Sequence, residues 1–449
     1  MPSLFFVILQ PRERSRPVAR HCFMAQSSLL AAEETRHMSA HHIPSAQERS
    51  KNQQAKMEEH MTVRHWLALT GLTLSAFIFN TSEFIPIGLL TDIQQDFHLT
   101  EATAGLLISV YAWVVMLLSL PLMIMVSRME MRRLMLWLIS LFGVCQVLSF
   151  LSASYGMLMA SRIGVACTHS IFWSIIAPLA VRIVPPTHKE VALSMVVTGS
   201  SVAMVLGMPL GRMIGLHLGW RMTFLSIGLF AFVILAYAAH FLPRVPNRGG
   251  FSPRKLPALL SNRTLLGIYL FTLLMSSAYY VCYSYIEPFM KQVTGMADST
   301  VTASLTLMGL AGIVGSFIFS RCYARHPRRF ISLMVAAVAL PLVGLLPAAA
   351  SISVSLVLLA LMGLASTAYN VAMQSTIMHN CNQESTAVAM SIFSGIFNLG
   401  IGSGAYLGGL ICTHDTIAHI GVAGGVLALI ALLYWMLRLG RKAYQQDAA

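Results

Sequence analysis

Five ionisable side chains lie inside long apolar stretches of this sequence. They are Glu83, Arg162, His169, Arg212 and Glu287. A charged group inside a lipid bilayer is costly unless it is paired or hydrated, so such residues usually serve an ion or substrate pathway. These five are therefore the first candidates for chemistry.

Glu83 is the strongest candidate for a proton carrier. A carboxyl group that is shielded from water can hold a proton and release it when its surroundings change. The alternative is a carboxylate that is fixed in a structural ion pair. The residue types alone leave both interpretations open.

Arg162 and His169 are seven residues apart, and Trp173 follows four residues later, so the three fall near one face of a helix. Arg162 keeps its charge and could bias a carboxylate, or it could pack near an interface and extend to water. His169 could relay a proton, or it could be a hydrogen-bonded packing residue. For Arg212 we expect a side chain that extends to water at the outer end of its helix.

Aromatic and amide side chains in the apolar stretches could bind an uncharged solute rich in hydroxyl groups. Tyr279 and Tyr283 are one helical turn apart and are expected in a cavity. Tyr285 is expected in the aromatic belt at the membrane interface. Neutral amides offer donors and acceptors without a charge, and they occur at Asn80, Asn370, Gln374 and Asn398.

The elements that position these residues must be membrane-spanning helices. Of the 449 residues, 56% are apolar and only 10% are charged, whereas a soluble domain has about a quarter of charged residues. Apolar runs of about 20 residues recur from Trp66 to Arg438, and each could cross about 30 Å of hydrocarbon as a helix. We predict an all-α polytopic membrane protein with about twelve transmembrane helices in two six-helix bundles.

The predicted spans 1 to 12 are roughly residues 66–90, 103–126, 133–151, 156–182, 190–215, 221–242, 264–290, 300–322, 330–350, 352–378, 385–411 and 417–438. A polar linker, residues 243–263, separates a first bundle (63–242) from a second (264–440). Residues 1–62 are predicted to form a disordered polar tail, and residues 441–449 a short second tail.

Internal similarity indicates that the two bundles are repeats. At a separation of 197 residues, Gly207 and Gly211 match Gly404 and Gly408. We also match Glu83 with Glu287, because each lies late in its span and is followed by a proline. Parallel six-helix repeats place a substrate site between the halves, near the middle of the membrane.

The formal net charge of +13 is explained by topology. Arginine and lysine gather in alternate loops, which predicts that both termini face the cytoplasm. The basic residues do not cluster on a soluble domain, so nucleic acid is not an expected partner. The seven cysteines have no paired spacing, and no zinc motif, Walker loop or nucleophile elbow is evident, so we expect no metal, no cofactor and no enzymatic activity.

Residues 198–215 resemble the antiporter motif of the major facilitator superfamily, and Gly207, Pro209, Gly211 and Gly215 carry that likeness. The following segment, Gly219-Trp220-Arg221, is similar to the drug and proton antiporter branch of the same superfamily. One departure is Ser127, which stands where the superfamily usually has an aspartate.

Residues 66–438 resemble more narrowly the bacterial sugar efflux transporter family. The likeness is carried by residues 76–84, 111–115, 161–166, 283–289 and 393–398. Tyr111 and Trp113 lie in the second of these segments and join Trp173 as candidates for substrate binding. The resemblance implies export of arabinose-like sugars and thiogalactosides by proton antiport, which would lower the internal concentration of toxic sugars or their metabolites.

Two other classes of function stay open at this point. A multidrug or nucleoside exporter would have the same architecture, because fold and function separate easily. A membrane sensor or an integral membrane enzyme would need a signalling domain or a catalytic constellation, and the sequence contains neither.

Overall fold

A computed structural model of the protein describes residues 60–126, 129–245, 261–381, 386–440 and 443–444. Within these ranges, eleven helices are long and apolar enough to cross a membrane, and a bent helix pair makes a twelfth span. The predicted all-α membrane fold is confirmed. Ser127 and all but the last three residues of the predicted N-terminal tail lie outside the described residues.

The first half contains six spans, whose bounds differ by a few residues from the predicted ones. They are span 1 (Val63–Gly88, continued by Leu90–Asp96), span 2 (Glu101–Val126), span 3 (Met131–Phe150), span 4 (Tyr155–Arg182), span 5 (Lys189–Val202, Ala203–Gly207 and Met208–Leu218) and span 6 (Trp220–Phe241). A buried apolar core lies within this half.

The second half repeats this arrangement around a second core, which also takes in residues of spans 1, 2 and 5. It contains span 7 (Arg263–Tyr283, continued by Ile286–Gln292), span 8 (Asp298–Cys322), span 9 (Pro327–Ala348), span 10 (Ile352–His379), span 11 (Thr386–His414) and span 12 (Ile420–Tyr434 and Trp435–Leu439). Successive spans alternate in direction, so span 1 begins and span 12 ends on one side, here called the proximal face. The opposite side, where spans 1 and 7 end, is the distal face.

The side chain of Glu130 fixes where span 3 begins. The carboxylate of Glu130 accepts hydrogen bonds from the backbone N–H groups of Arg132 and Arg133, at the start of span 3, at 3.1 and 3.2 Å. It also accepts one from the N–H of Val245 at 2.8 Å. The same side chain therefore caps span 3 and holds the end of the first half beside it.

A row of glycines on span 5 packs against span 1. Gly199, Gly207, Gly211 and Gly215 contact Thr73, Thr81, Ile85 and Leu89, in that order. The two spans are parallel, and successive contacts are separated by the same number of residues on each span. The backbones therefore stay close over most of their length. The glycines of the antiporter-like motif thus serve helix packing, as small residues do in membrane proteins.

The second half uses the matching glycines in the same way. A Cβ atom at Gly404 or Gly408 of span 11 would come within 2.5 Å of a backbone oxygen of span 7, at Ser277 or Val281 respectively. The glycine pairs that the sequence matches at a separation of 197 residues therefore make equivalent helix contacts in the two halves.

The breaks in spans 1 and 7 correct one predicted match. Span 1 bends by 62° at Leu89, whose φ and ψ are −121° and 13°. Tyr285 at the break of span 7 has nearly the same values, −116° and 17°. Glu83 precedes its break whereas Glu287 follows its own, so the predicted equivalence of these two acids is wrong. The residue equivalent to Glu287 is Thr91.

We expect Gly199→Ala to destabilise the folded protein by roughly 1–3 kcal/mol, because the new Cβ atom would overlap the backbone carbonyl oxygen of Thr73. Denaturant unfolding in detergent measures the effect. Gly156→Ala is the matched control, since a Cβ atom there meets no atom within 4 Å. Equal stability of the two variants would contradict the packing role of Gly199.

Candidate functional site

A cavity of about 150 Å³ lies between the two halves. Spans 1, 5, 7, 8, 9, 10 and 11 contribute to its wall. The wall extends from Val197, Ser316 and Gln374, in the proximal parts of their spans, to Glu83 and Leu305 in the distal parts. The cavity therefore occupies the region where two parallel repeats are expected to hold a substrate.

Tyrosine side chains form much of the wall on the second half. Tyr279 and Tyr283 line the cavity as expected from the sequence, and their ring centroids are 4.9 Å apart. Tyr280 and Tyr369 also line it. Neither is among the substrate-binding residues named from the sequence, although Tyr280 adjoins Tyr279 in the same run of tyrosines.

Three of the four predicted amides line the cavity. Gln374 donates a hydrogen bond from Nε2 to Oδ1 of Asn370 at 2.7 Å. Asn398 donates to the carbonyl oxygen of Ser394 at 2.9 Å, and its own Oδ1 is buried without a partner among the described residues. Asn80 is placed elsewhere, because its Nδ2 donates to the carbonyl oxygen of Ser200 at 2.9 Å and joins span 1 to span 5.

Trp113, Trp173 and Tyr111, three of the predicted substrate-binding residues, are not among the residues that line this cavity. Trp113 packs against Tyr406 of span 11, with ring centroids 5.7 Å apart, and so contributes to the contact between the halves. Trp173 packs against His169 within span 4 at 5.9 Å. Their predicted part in substrate binding therefore has no support from the cavity geometry.

Glu83 is in the wall of the cavity, and its side chain is 9% exposed. Its Oε2 atom lies 3.7 Å from Nε2 of His169 and has no hydrogen-bond partner among the described residues. His169 is buried and also contacts the ring of Tyr111, with centroids 5.7 Å apart. The carboxyl group is thus free of the close ion pair that a purely structural role would need.

Arg162 is buried and directed at the turn that carries Glu83. Its Nη2 donates to the carbonyl oxygen of Ser82 at 2.9 Å, and its Nη1 donates to the hydroxyl of the same residue at 3.1 Å. The guanidinium lies 4.8 Å from the centroid of the Tyr111 ring. Of the two interpretations of Arg162, the structure excludes the side chain that extends to water. A fixed positive charge instead lies beside the candidate proton carrier.

A cluster of charged side chains joins the halves at the distal face. We call it the distal latch and define it as Arg212, Glu287, Asp298, Lys291 and Thr91. Arg212 of span 5 donates to Oε1 of Glu287 at 3.0 Å and to Oδ1 of Asp298 at 2.8 Å, and both acids belong to the second half. The side chains of Arg212 and Glu287 are fully buried.

The latch contains further hydrogen bonds and an ion pair. Thr91 of span 1 donates to Oε2 of Glu287 through its hydroxyl at 2.6 Å and through its backbone N–H at 3.2 Å. Lys291 lies 3.1 Å from Oδ1 of Asp298. Arg212 also donates to the carbonyl oxygen of Gly88. The distal ends of spans 1, 5, 7 and 8 are therefore held together.

Two expectations at this face are wrong. Arg212 does not extend to water, because two carboxylates of the other half hold it in the interior. Tyr285 is buried rather than in an aromatic belt, since its ring packs against Gly105 of span 2 and its hydroxyl donates to the carbonyl oxygen of Ala405 at 3.0 Å.

A comparison with protein families matches residues 72–351, and again residues 268–448, to the Major Facilitator Superfamily. The chain belongs to the major facilitator superfamily. The two matches overlap over residues 268–351 and together cover residues 72–448. This superfamily member is a multi-pass transporter that acts on small molecules in a lipid bilayer.

Solved structures of other transporters share the fold of this superfamily member. A bacterial homologue of the human lysosomal transporter Spinster, inward-facing and unoccupied, has a TM-score of 0.71 at 15% identity, covering 86% of this chain and 99% of its own. The nucleoside transporter NupG, in a mutant form, has a TM-score of 0.67 at 10% identity over 82% and 98%. The human organic anion transporter MFSD10 has 0.61 at 15% over 84% and 100%.

We expect Arg212→Gln to open the distal face. Removing one partner of a buried ion pair costs about 3–5 kcal/mol. The closed distal face should therefore lose the free energy by which it is favoured over the open one. Spin labels at the exposed positions Gln95 and Ser299, in a cysteine-free background, report the distance between the halves. A longer-distance population should appear in Arg212→Gln.

Lys291→Gln is the control for this experiment, because Lys291 contacts acids of its own half and its removal leaves the bonds between the halves in place. Its distance distribution should match that of the wild type. Unchanged distances in Arg212→Gln would show that the latch does not hold the face closed.

Proposed function

We propose that this transporter exports uncharged solutes rich in hydroxyl groups, such as arabinose-like sugars and thiogalactosides, in exchange for protons. The observation that carries the proposal is the composition of the cavity wall. It combines tyrosines and neutral amides with a single carboxyl group, that of Glu83, and includes no lysine or arginine among the described residues.

The wall suits a sugar on chemical grounds. Aromatic rings such as those of Tyr279 and Tyr283 pack against the C–H faces of a sugar, while hydroxyl and amide groups bind its hydroxyls. Asn398 has a buried acceptor that no described residue satisfies, so it can accept a hydrogen bond from a solute. An organic anion would find no cationic partner in this wall.

Glu83 is the proposed site of proton coupling, with His169 and Arg162 as its neighbours. Its carboxyl group lines the same cavity as the solute site, so its charge affects the solute directly. With a proton, Glu83 is neutral and needs no counter-ion. Without one, its negative charge lies near the fixed positive charge of Arg162. Alternation between these states is what proton exchange requires.

We infer that the proximal face is the cytoplasmic one, whereas the outward direction of transport rests on the resemblance to sugar efflux transporters. The latch closes the distal face, and the cavity wall extends toward the proximal face, in line with the inward-facing conformation of the Spinster homologue. Arg132, Arg133 and Arg182 at proximal ends of spans agree with a cytoplasmic proximal face. The proposed location is a bacterial inner membrane with both termini in the cytoplasm, where export lowers internal sugars or toxic sugar metabolites.

A multidrug or nucleoside antiporter is the second candidate. Four methionines also line the cavity, Met204, Met208, Met275 and Met308. Flexible, polarizable side chains of this kind adapt to varied apolar ligands. With Glu83 as counter-ion, the same wall could hold an amphipathic cation.

Transport in inverted membrane vesicles separates the two candidates. We expect uptake of radiolabelled arabinose or a thiogalactoside to rise when a proton gradient is imposed, and to fall to the background level when an uncoupler removes it. Ethidium is measured in parallel. Gradient-driven ethidium uptake without sugar uptake would replace the sugar proposal with the multidrug one.

We expect Glu83→Gln to reduce gradient-driven uptake by at least about tenfold, because the amide cannot carry a proton. Exchange of labelled for unlabelled solute without a gradient should continue, since the amide keeps the polarity and shape of the site. Glu101→Gln makes the same chemical change at the distal surface and should transport like the wild type. Full gradient-driven uptake in Glu83→Gln would remove Glu83 from the coupling mechanism.

A further inference from the structure

A second, much smaller cavity of about 10 Å³ lies against another side of Glu83. Glu83, Tyr111 and Tyr280 contribute polar groups to its wall, and the rest is apolar. This volume is close to the minimum that holds one water molecule in a protein interior. A sugar is far too large to enter it.

Two polar atoms of residues that line this pocket have no partner among the described residues. They are Oε2 of Glu83 and the hydroxyl oxygen of Tyr111, and both are buried. Tyr111 is only 4% exposed, so bulk water does not satisfy its hydroxyl. Buried polar groups are nearly always hydrogen-bonded, and a water molecule with two to four polar neighbours is the usual solution.

The pocket lies on the distal side of Glu83. Pro86 and Ile87 line it and follow Glu83 toward the distal end of span 1. Leu107 and Ile108 also line it and precede Tyr111 in span 2, which begins at the distal face. The large cavity also borders Glu83, and its wall reaches Val197, Ser316 and Gln374 in the proximal parts of their spans.

We propose that this pocket binds one water molecule between the Glu83 carboxyl group and the Tyr111 hydroxyl, and that this water delivers the coupling proton from the distal side. The inference rests on the proposed function, in which Glu83 exchanges protons. It separates two routes that meet at Glu83, a distal one for the proton and a proximal one for the solute.

The transfer is balanced at each atom. The water oxygen accepts an arriving proton and releases one of its own hydrogens to Oε2 of Glu83, so one proton is gained by the carboxylate and the water is unchanged. The Tyr111 hydroxyl keeps its proton and orients the water. Arg162 lies over the Tyr111 ring at 4.8 Å, and its charge disfavours a lasting hydronium in the pocket. His169 faces the carboxyl group from span 4.

Tyr111→Phe tests the proposal, because it removes only the unpartnered hydroxyl and leaves the ring under Arg162. In proteoliposomes with radiolabelled thiogalactoside and an internal pH dye, we expect gradient-driven solute flux and the accompanying proton movement to fall at least about tenfold. Solute exchange without a gradient should stay within about twofold of the wild type, since the residue does not line the large cavity.

Tyr283→Phe is the matched control, because Tyr283 lines the large cavity and not the small one. It should change the solute concentration at half-maximal exchange while it keeps the ratio of protons to solute. Ala112→Val fills the small pocket with two methyl groups and should reproduce the effect of Tyr111→Phe. Agreement of these two pocket variants would support a bound water rather than a role of the tyrosine ring.

The outcomes separate the two proposals. If Glu83→Gln abolishes gradient-driven flux while Tyr111→Phe and Ala112→Val keep it, the water site is wrong and the coupling role of Glu83 stands. If Tyr111→Phe reduces exchange and gradient-driven flux equally, Tyr111 belongs to the solute site and the separate route is also wrong. If Glu83→Gln itself keeps gradient-driven flux, the coupling role of Glu83 is wrong and the water site falls with it.

Discussion

The low dielectric constant of the membrane interior makes an unpaired charge so costly that the two halves depend on each other. Arg212 of the first half and Glu287 of the second are both fully buried, and each is the other's counter-ion. Neither half can move away at the distal face without exposing these groups or leaving them unpaired. This one constraint closes the distal face, and with the face closed the cavity between the halves extends toward the proximal side.

The same constraint distinguishes two buried acids that look alike in the sequence. Glu287 accepts hydrogen bonds from Arg212 and from the hydroxyl and N–H of Thr91, so its negative charge is fully compensated. Glu83 has only His169 at 3.7 Å, and its Oε2 has no hydrogen-bond partner among the described residues. A carboxylate that is well bonded favours a fixed charge, whereas a poorly bonded one can alternate between charged and neutral forms. A structural role therefore suits Glu287, and exchange of a proton suits Glu83.

Local patterns in the sequence were sufficient for the spans and for the glycine contacts. Apolar runs of membrane length predicted the helices, and the repeated glycines at 207, 211, 404 and 408 predicted equivalent packing. The burial of Arg212 in ion pairs was not predictable in this way, because its partners Glu287 and Asp298 are 75 and 86 residues away in the other half. The match of Glu83 with Glu287 failed because it rested on nearby prolines, whereas the helix breaks at Leu89 and Tyr285 set the true register.

The packing contacts within and between the halves also limit how the halves can move. Within each half, glycine contacts hold span 5 against span 1 and span 11 against span 7, so each half tends to move as a unit. Between the halves, Gly309 of span 8 lies against the backbone of Met204 and Val205, and a Cβ atom there would come within 2.7 Å of the Met204 oxygen. These two residues belong to the π-helical segment Ala203–Gly207 of span 5, beside the cavity. In the proposed exchange, rotation about this close crossing would separate the latch residues at one end of spans 5 and 8 while bringing their other ends together. Opening of the distal face and closing of the proximal side of the cavity would then be one motion, which is the behaviour that alternating access requires.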